Sequence, residues 1–185
     1  MISAYVARPA ARAVAIGTFV LAIEWTRALF INAPYAAVPA LLVGGVALAA
    51  VAIGFPRERL GLSGTRIGLR IVGGLALGAV LLLPTAVRSG APLLPAGLAL
   101  AAIVVSIGEE VAFRGALYAA LEDVGGAPMA VLGSTIVWTL AHALSHPPAF
   151  LGAVAAAGLL LALWRWACKD LVAPIIGHVI ADLAL

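Results

Sequence analysis

Six ionisable side chains in the second half of this 185-residue chain are of types that move protons or hold charge: Glu109, Glu110, Arg114, His142, His178 and Asp182. Glu110 and Arg114 stand four positions apart, as do His178 and Asp182, so each pair can share one helix face. Glu109 is turned about 100° around the helix from its neighbour Glu110, so the two carboxylates need not share a task. Glu110 with Arg114 is expected to form a buried ion pair that fixes its helix, which leaves Glu109 to face a cavity with His142. A carboxylate in a poorly solvated site beside a histidine is suited to taking a proton from water.

The elements that carry these residues belong in lipid. The chain is 64% hydrophobic and only 10% charged, too little polar surface to cover a water-soluble globule of this length. Ionisable side chains at mid-bilayer cost at least ~2.5 to 3.5 kcal/mol each, so three within two turns around Glu109 call for a compensating role. A hydrocarbon core about 30 Å thick takes roughly 20 residues of helix, and the apolar stretches have that length rather than the length of barrel strands. The fold expected is all-α, a polytopic transmembrane helical bundle of about seven spans: 13 to 31, 35 to 55, 71 to 87, 96 to 121, 128 to 145, 149 to 166 and 171 to 185. Residues 1 to 185 make a single integral membrane domain, with 96 to 185 as its catalytic core. Glu24, Trp25 and Arg27 interrupt the first apolar run, so it is taken as a retained span rather than a secretory signal. Glu24 and Arg27, three apart, are assigned a structural ion pair on that span, and His146 a place at the surface beside Pro147.

Charge distribution gives an orientation. With a cytoplasmic N-terminus, Arg8, Arg12, Arg57, Arg59, Arg66, Arg70, Arg165 and Lys169 fall on the inside and Arg88 on the outside, the partition that the positive-inside rule demands. The basic loop residues are thus topology determinants near anionic headgroups, and nucleic acid is not an expected partner. Ten arginines against one lysine, with abundant Ala and Gly, point to a GC-rich genome and a prokaryotic cell membrane. Cys168 is alone and receives no role. Nothing in the sequence sets an oligomeric state.

Depth along the membrane normal then groups the polar residues. At 1.5 Å per residue, Glu109 and Glu110 lie about 17 to 18 Å from the inner boundary, His142 about 21 Å, and His178 and Asp182 about 10 and 16 Å. Three helices deliver ionisable groups to one layer, which makes them one site. Such a site suits hydrolysis by activated water, a proton-coupled transporter, or a noncatalytic membrane partner that keeps the fold. No His-Glu-x-x-His helix is present, but Glu109, His142 and His178 also make an acceptable zinc set with an open water position. The metal-free form, without cofactor, is the first choice and zinc the alternative.

The three motifs Glu109-Glu-Val-Ala-Phe-Arg114, Trp138-Thr-Leu-Ala-His142 and His178-Val-Ile-Ala-Asp182, in this order and on separate spans, resemble those of the CAAX-protease and bacteriocin-processing family. This is a group of intramembrane proteases that includes the Ras-converting CAAX endopeptidase, and the likeness covers roughly residues 96 to 185. The resemblance implies a glutamic-type intramembrane endopeptidase acting on membrane-associated proteins or peptides in the bilayer. It implies that Glu109 activates water with His142, that His178 and residue 182 stabilise the oxyanion, and that Glu110 and Arg114 support the site. Trp138 replaces the more usual phenylalanine, and Asp182 stands where many members have asparagine. An ionised Asp182 cannot donate to an oxyanion; it either orients a protonated His178 as the donor or is itself protonated.

Overall fold

The computed structural model describes residues 2–30, 32–33, 35–64, 66–83 and 94–184, with side chains from residue 8 onward. Arg88 and most of the loop before Pro95 therefore lie outside the described residues, as do the last residues of the third expected span. Among the described residues the chain is all-helical. It runs α1 (Ile2–Phe30), α2 (Ala37–Ala50), a single turn α3 (Arg57–Leu60), α4 (Ile67–Leu81) and α5 (Ala96–Glu110). A π-helical segment, Val111–Leu117, joins α5 to α6 (Tyr118–Ala141), followed by α7 (Leu151–Cys168) and α8 (Val172–Ala184).

Pro9 lies inside α1, but three other prolines mark where helices begin. Pro39 and Pro174 each sit in the first turn of a helix, and Pro128 stands just after the kink that starts the second half of α6, where a missing N–H forfeits no intrahelical bond. Lys169 ends α7 in a left-handed conformation, and Asp170 immediately caps α8 through the amides of Val172 (3.3 Å) and Ala173 (2.9 Å).

The spans differ in detail from the seven expected. Among the described residues three stretches are long and apolar enough to cross a membrane by length and composition: Arg8–Phe30, Ala96–Leu144 and Pro148–Cys168. The 49-residue stretch is broken at Gly125 and Gly126, where Gly126 takes φ +69°, so the turn expected over 122 to 126 is reduced to a two-residue kink. α2 has 14 residues because turns over 35–36 and 51–54 fill the flanks of its apolar run; α4, with 15, begins four residues before the expected span, whose end lies outside the described residues, and α8 has 13. Large apolar side chains such as Val14, Leu29, Val43, Leu75, Leu132 and Ile136 point outward, as a lipid-facing surface requires. The protein is an integral membrane protein.

Inside the bundle, α2 packs along α5 and α4 along α8. Close approach rests on glycine. A Cβ on Gly108 would overlap the Gly45 carbonyl, and one on Gly74 would overlap Ile176, so neither pair of helices can approach this closely with larger residues. The core between α1, α6 and the π segment is filled by Val20, Leu48, Phe113, Leu117 and Trp138.

At the end of the bundle that carries α3, the basic loop is tied to the helices. Arg59 pairs with Asp123 and donates to the Ala119 carbonyl (2.9 Å), Arg70 pairs with Asp170 (2.9 Å), and Arg165 donates to the carbonyls of Arg59 (2.9 Å) and Arg114 (3.2 Å). Arg59 and Arg70 thus hold helices together, a task that charge counting alone does not assign to them.

Candidate active site

Glu109 and Glu110 end α5, and the next seven residues wind as a π-helix with hydrogen bonds from i to i+5. Arg114 lies on this wider turn and returns to Glu110, donating from Nη1 to Oε1 at 2.8 Å with both side chains fully buried. Its Nη2 donates to the Gly158 carbonyl at 3.3 Å, and its guanidinium lies 4.1 Å over the Trp138 ring. The ion pair expected from the spacing is present, and Trp138, the motif's aromatic residue, is its packing lid.

His142 begins a short 3-10 turn after α6. Its Nδ1 lies 2.9 Å from the Trp138 carbonyl, which can only accept, so Nδ1 carries a proton. In the neutral ring Nε2 is then an acceptor, and it faces Glu109 Oε2 at 3.9 Å. Two acceptors cannot bond each other, and at that separation they can share a water that donates to both.

His178 donates from Nδ1 to Glu110 Oε1 at 2.9 Å, and its Nε2 lies 3.4 Å from Asp182 Oδ2. The nearest anchor of His178 is thus Glu110, whereas spacing suggested Asp182. Asp182 faces the other ring nitrogen and Ser106 Oγ at 2.8 Å; the one hydroxyl proton of Ser106 is shared between Asp182 and the Ala102 carbonyl, 2.7 Å away.

A cavity of about 620 Å³ opens onto this layer. Glu109, His142, His178 and Asp182 all line it, whereas Glu110 and Arg114 sit behind Trp138 and do not. The two adjacent glutamates therefore divide as their angular separation suggests. Leu41, Leu98 and Leu160 contribute to an otherwise largely apolar wall.

Two further residues of the cavity come from α1. Arg27 donates from Nη1 to Glu24 Oε1 (2.9 Å) and to Glu109 Oε1 (3.1 Å). Their pairing was anticipated, but their position at the cavity was not. Depth along the first span was the signal for them, since Glu24 and Arg27 lie about 17 and 21 Å beyond residue 13, in the layer of Glu109. His146, expected at the surface, is instead half-buried at the cavity, its ring centroid 5.3 Å from that of His142 and 5.3 Å from that of Phe150.

Among the described residues, no three His, Cys, Asp or Glu side chains are grouped so that they could hold a metal ion, and Glu109, His142 and His178 do not form such a set as arranged. A family model described as type II CAAX prenyl endopeptidase Rce1-like matches residues 91–184, a stretch that contains all three motifs and the helices that carry them. The chain belongs to this family. No curated protein and no solved structure matches it. α1 to α4, and with them Glu24 and Arg27, lie outside the matched residues.

Proposed function

We propose that the protein is a glutamic-type intramembrane endopeptidase that hydrolyses peptide bonds of membrane-associated substrates. The observation that carries this reading is the pair of acceptors, Glu109 Oε2 and His142 Nε2, 3.9 Å apart at the cavity wall. A water between them directs one hydrogen to each and turns its lone pairs to the cavity. As the water oxygen bonds to the peptide carbonyl carbon, Glu109 takes a proton and the carbonyl π electrons move to oxygen. His178, protonated on both nitrogens between Glu110 and Asp182, donates from Nε2 to that oxyanion. Collapse of the tetrahedral adduct breaks the C–N bond, and the proton on Glu109 passes to the leaving amine. Family membership supports the reaction class, and the apolar wall suits a hydrophobic peptide chain. Purified protein in proteoliposomes, offered membrane-anchored peptides, is expected to release fragments whose new carboxyl groups carry one oxygen from ¹⁸O-labelled water. Absence of any cleavage across a broad peptide set would overturn the proposal.

The reaction proposed needs no metal. Exhaustive chelation is expected to leave cleavage unchanged, with metal analysis finding no stoichiometric zinc. Activity lost on chelation and restored by zinc alone would replace this mechanism with the zinc form, built on nearly the same residues.

We further propose that the chain crosses the membrane seven times from a cytoplasmic N-terminus in a prokaryotic cell membrane, with α5 and α6 separated at the Gly125–Gly126 kink. The loop charges support this orientation. Reporter fusions at residues 1 and 185 are expected to place the ends on opposite sides; both ends on one side would remove the seven-span arrangement.

A further inference from the structure

α1 reaches the site by a route that the sequence motifs do not contain. Arg27 extends across α2 to Glu109, and its side chain passes over Gly44, where a Cβ would overlap Arg27 Cγ and Cδ. The contact is specific to one oxygen. Arg27 Nη1 holds Oε1 of Glu109 at 3.1 Å, while Oε2 is the oxygen facing His142. A carboxylate tethered at one oxygen cannot swing, so its free oxygen keeps a fixed direction toward the water position. Glu24, itself buried, holds the same Nη1 at 2.9 Å.

Resting on the hydrolytic reading of Glu109, we propose that Arg27 is a positioning residue of the site, tethering Glu109 Oε1 so that Oε2 is presented to water, with Glu24 as its second counter-ion. The role of Glu24 follows from charge balance. When Glu109 takes the proton of water, its negative charge passes to the tetrahedral oxyanion and Arg27 loses one partner. Glu24 keeps the guanidinium paired through that half-cycle, so no bare cation is left among apolar side chains. Gly44 is part of the same device because it leaves the space through which the arginine stem passes.

Steady-state cleavage by Arg27→Gln, Arg27→Lys, Gly44→Ala and Glu24→Gln tests this, with yield and melting temperature measured alongside. Misplacing a catalytic group by about 1 Å can lower a rate by roughly 10²-fold, and Arg27→Gln is expected to lose kcat on that scale with KM unchanged. Arg27→Lys, which keeps the charge without the guanidinium fork, restores part of the rate. Gly44→Ala lowers kcat by displacing the arginine stem while every charge remains, and it serves where Arg27→Gln fails to fold. Glu24→Gln lowers kcat by a smaller factor, again at constant KM. An Arg27→Gln or Gly44→Ala protein with wild-type kcat would overturn the proposal, as would losses that track melting temperature alone. Infrared difference spectra of ¹³C-glutamate-labelled protein, taken against Glu109→Gln, read the contact independently of activity. The Glu109 carboxylate bands are expected to shift in Arg27→Gln; unshifted bands overturn the tether. A wild-type protein that cleaves nothing but shows the band shift would defeat the hydrolytic reading and leave the tether standing.

Discussion

Glu109→Gln is expected to abolish peptide-bond cleavage while the protein still accumulates and melts as wild type. Gln keeps the shape of the side chain and can still accept a hydrogen bond from Arg27, and Glu24 remains as that arginine's counter-ion. What it lacks is the ability to take a proton from water. A positioned general base contributes about 10²- to 10⁴-fold to a rate, so the loss should reach the background of the assay. The same variant separates the functions that buried carboxylates and histidines allow. A proton-coupled transporter would lose proton flux, a noncatalytic partner would change in neither assay, and a hydrolase loses cleavage alone. Retained cleavage in a folded Glu109→Gln protein would remove Glu109 from the mechanism.

Arg114→Ala is expected to act on the fold before it acts on chemistry. The fully buried guanidinium is held by Glu110 at 2.8 Å, by the Gly158 carbonyl at 3.3 Å and by the face of Trp138 at 4.1 Å. Truncation leaves Glu110 in the protein interior without a permanent cation, and breaking a buried pair in this way costs roughly 3 to 5 kcal/mol. Native domains hold only about 5 to 15 kcal/mol in total, so yield in membranes and melting temperature in detergent should both fall sharply. Part of that loss should propagate to His178, whose Nδ1 is bonded to the same Glu110 oxygen. Wild-type yield and melting with complete loss of cleavage would instead give Arg114 a direct part in the reaction.

The site was legible in the sequence where it depends on spacing within one helix. Four-residue intervals and depth along the span were enough to pair Glu110 with Arg114, to put His178 near Asp182 and to bring His142 to Glu109. Contacts between helices were less legible, because rotation of one helix against another is set by packing that a linear pattern does not contain. Glu110 rather than Asp182 anchors His178 for this reason, and Arg27 reaches Glu109 only because Gly44 leaves α2 narrow. The π-helical turn over 111–117 escaped for a different reason: its residues are ordinary helix formers, and the wider turn coincides with the placement of buried Arg114 beneath Trp138. The helix of the second span was overestimated because apolar composition continues through the turns at 51–54.

The buried charges also bear on how the chain enters the bilayer. α1 carries Glu24 with Arg27, α5 and its π-helical continuation carry Glu110 with Arg114, and α8 carries His178 with Asp182, each pair three or four residues apart. A helix leaving the insertion machinery with an internal pair exposes less net charge to lipid than its residue count suggests. Among the described residues Glu109 has no such companion on its own helix; its cation comes from α1 and its histidine from the end of α6. The carboxylate proposed to act on water is thus the one that must wait for the other helices to dock. α1, which precedes the other helices in the chain and lies outside the matched stretch 91–184, is the helix that brings its countercharge, which ties completion of the proposed base to assembly of the whole bundle.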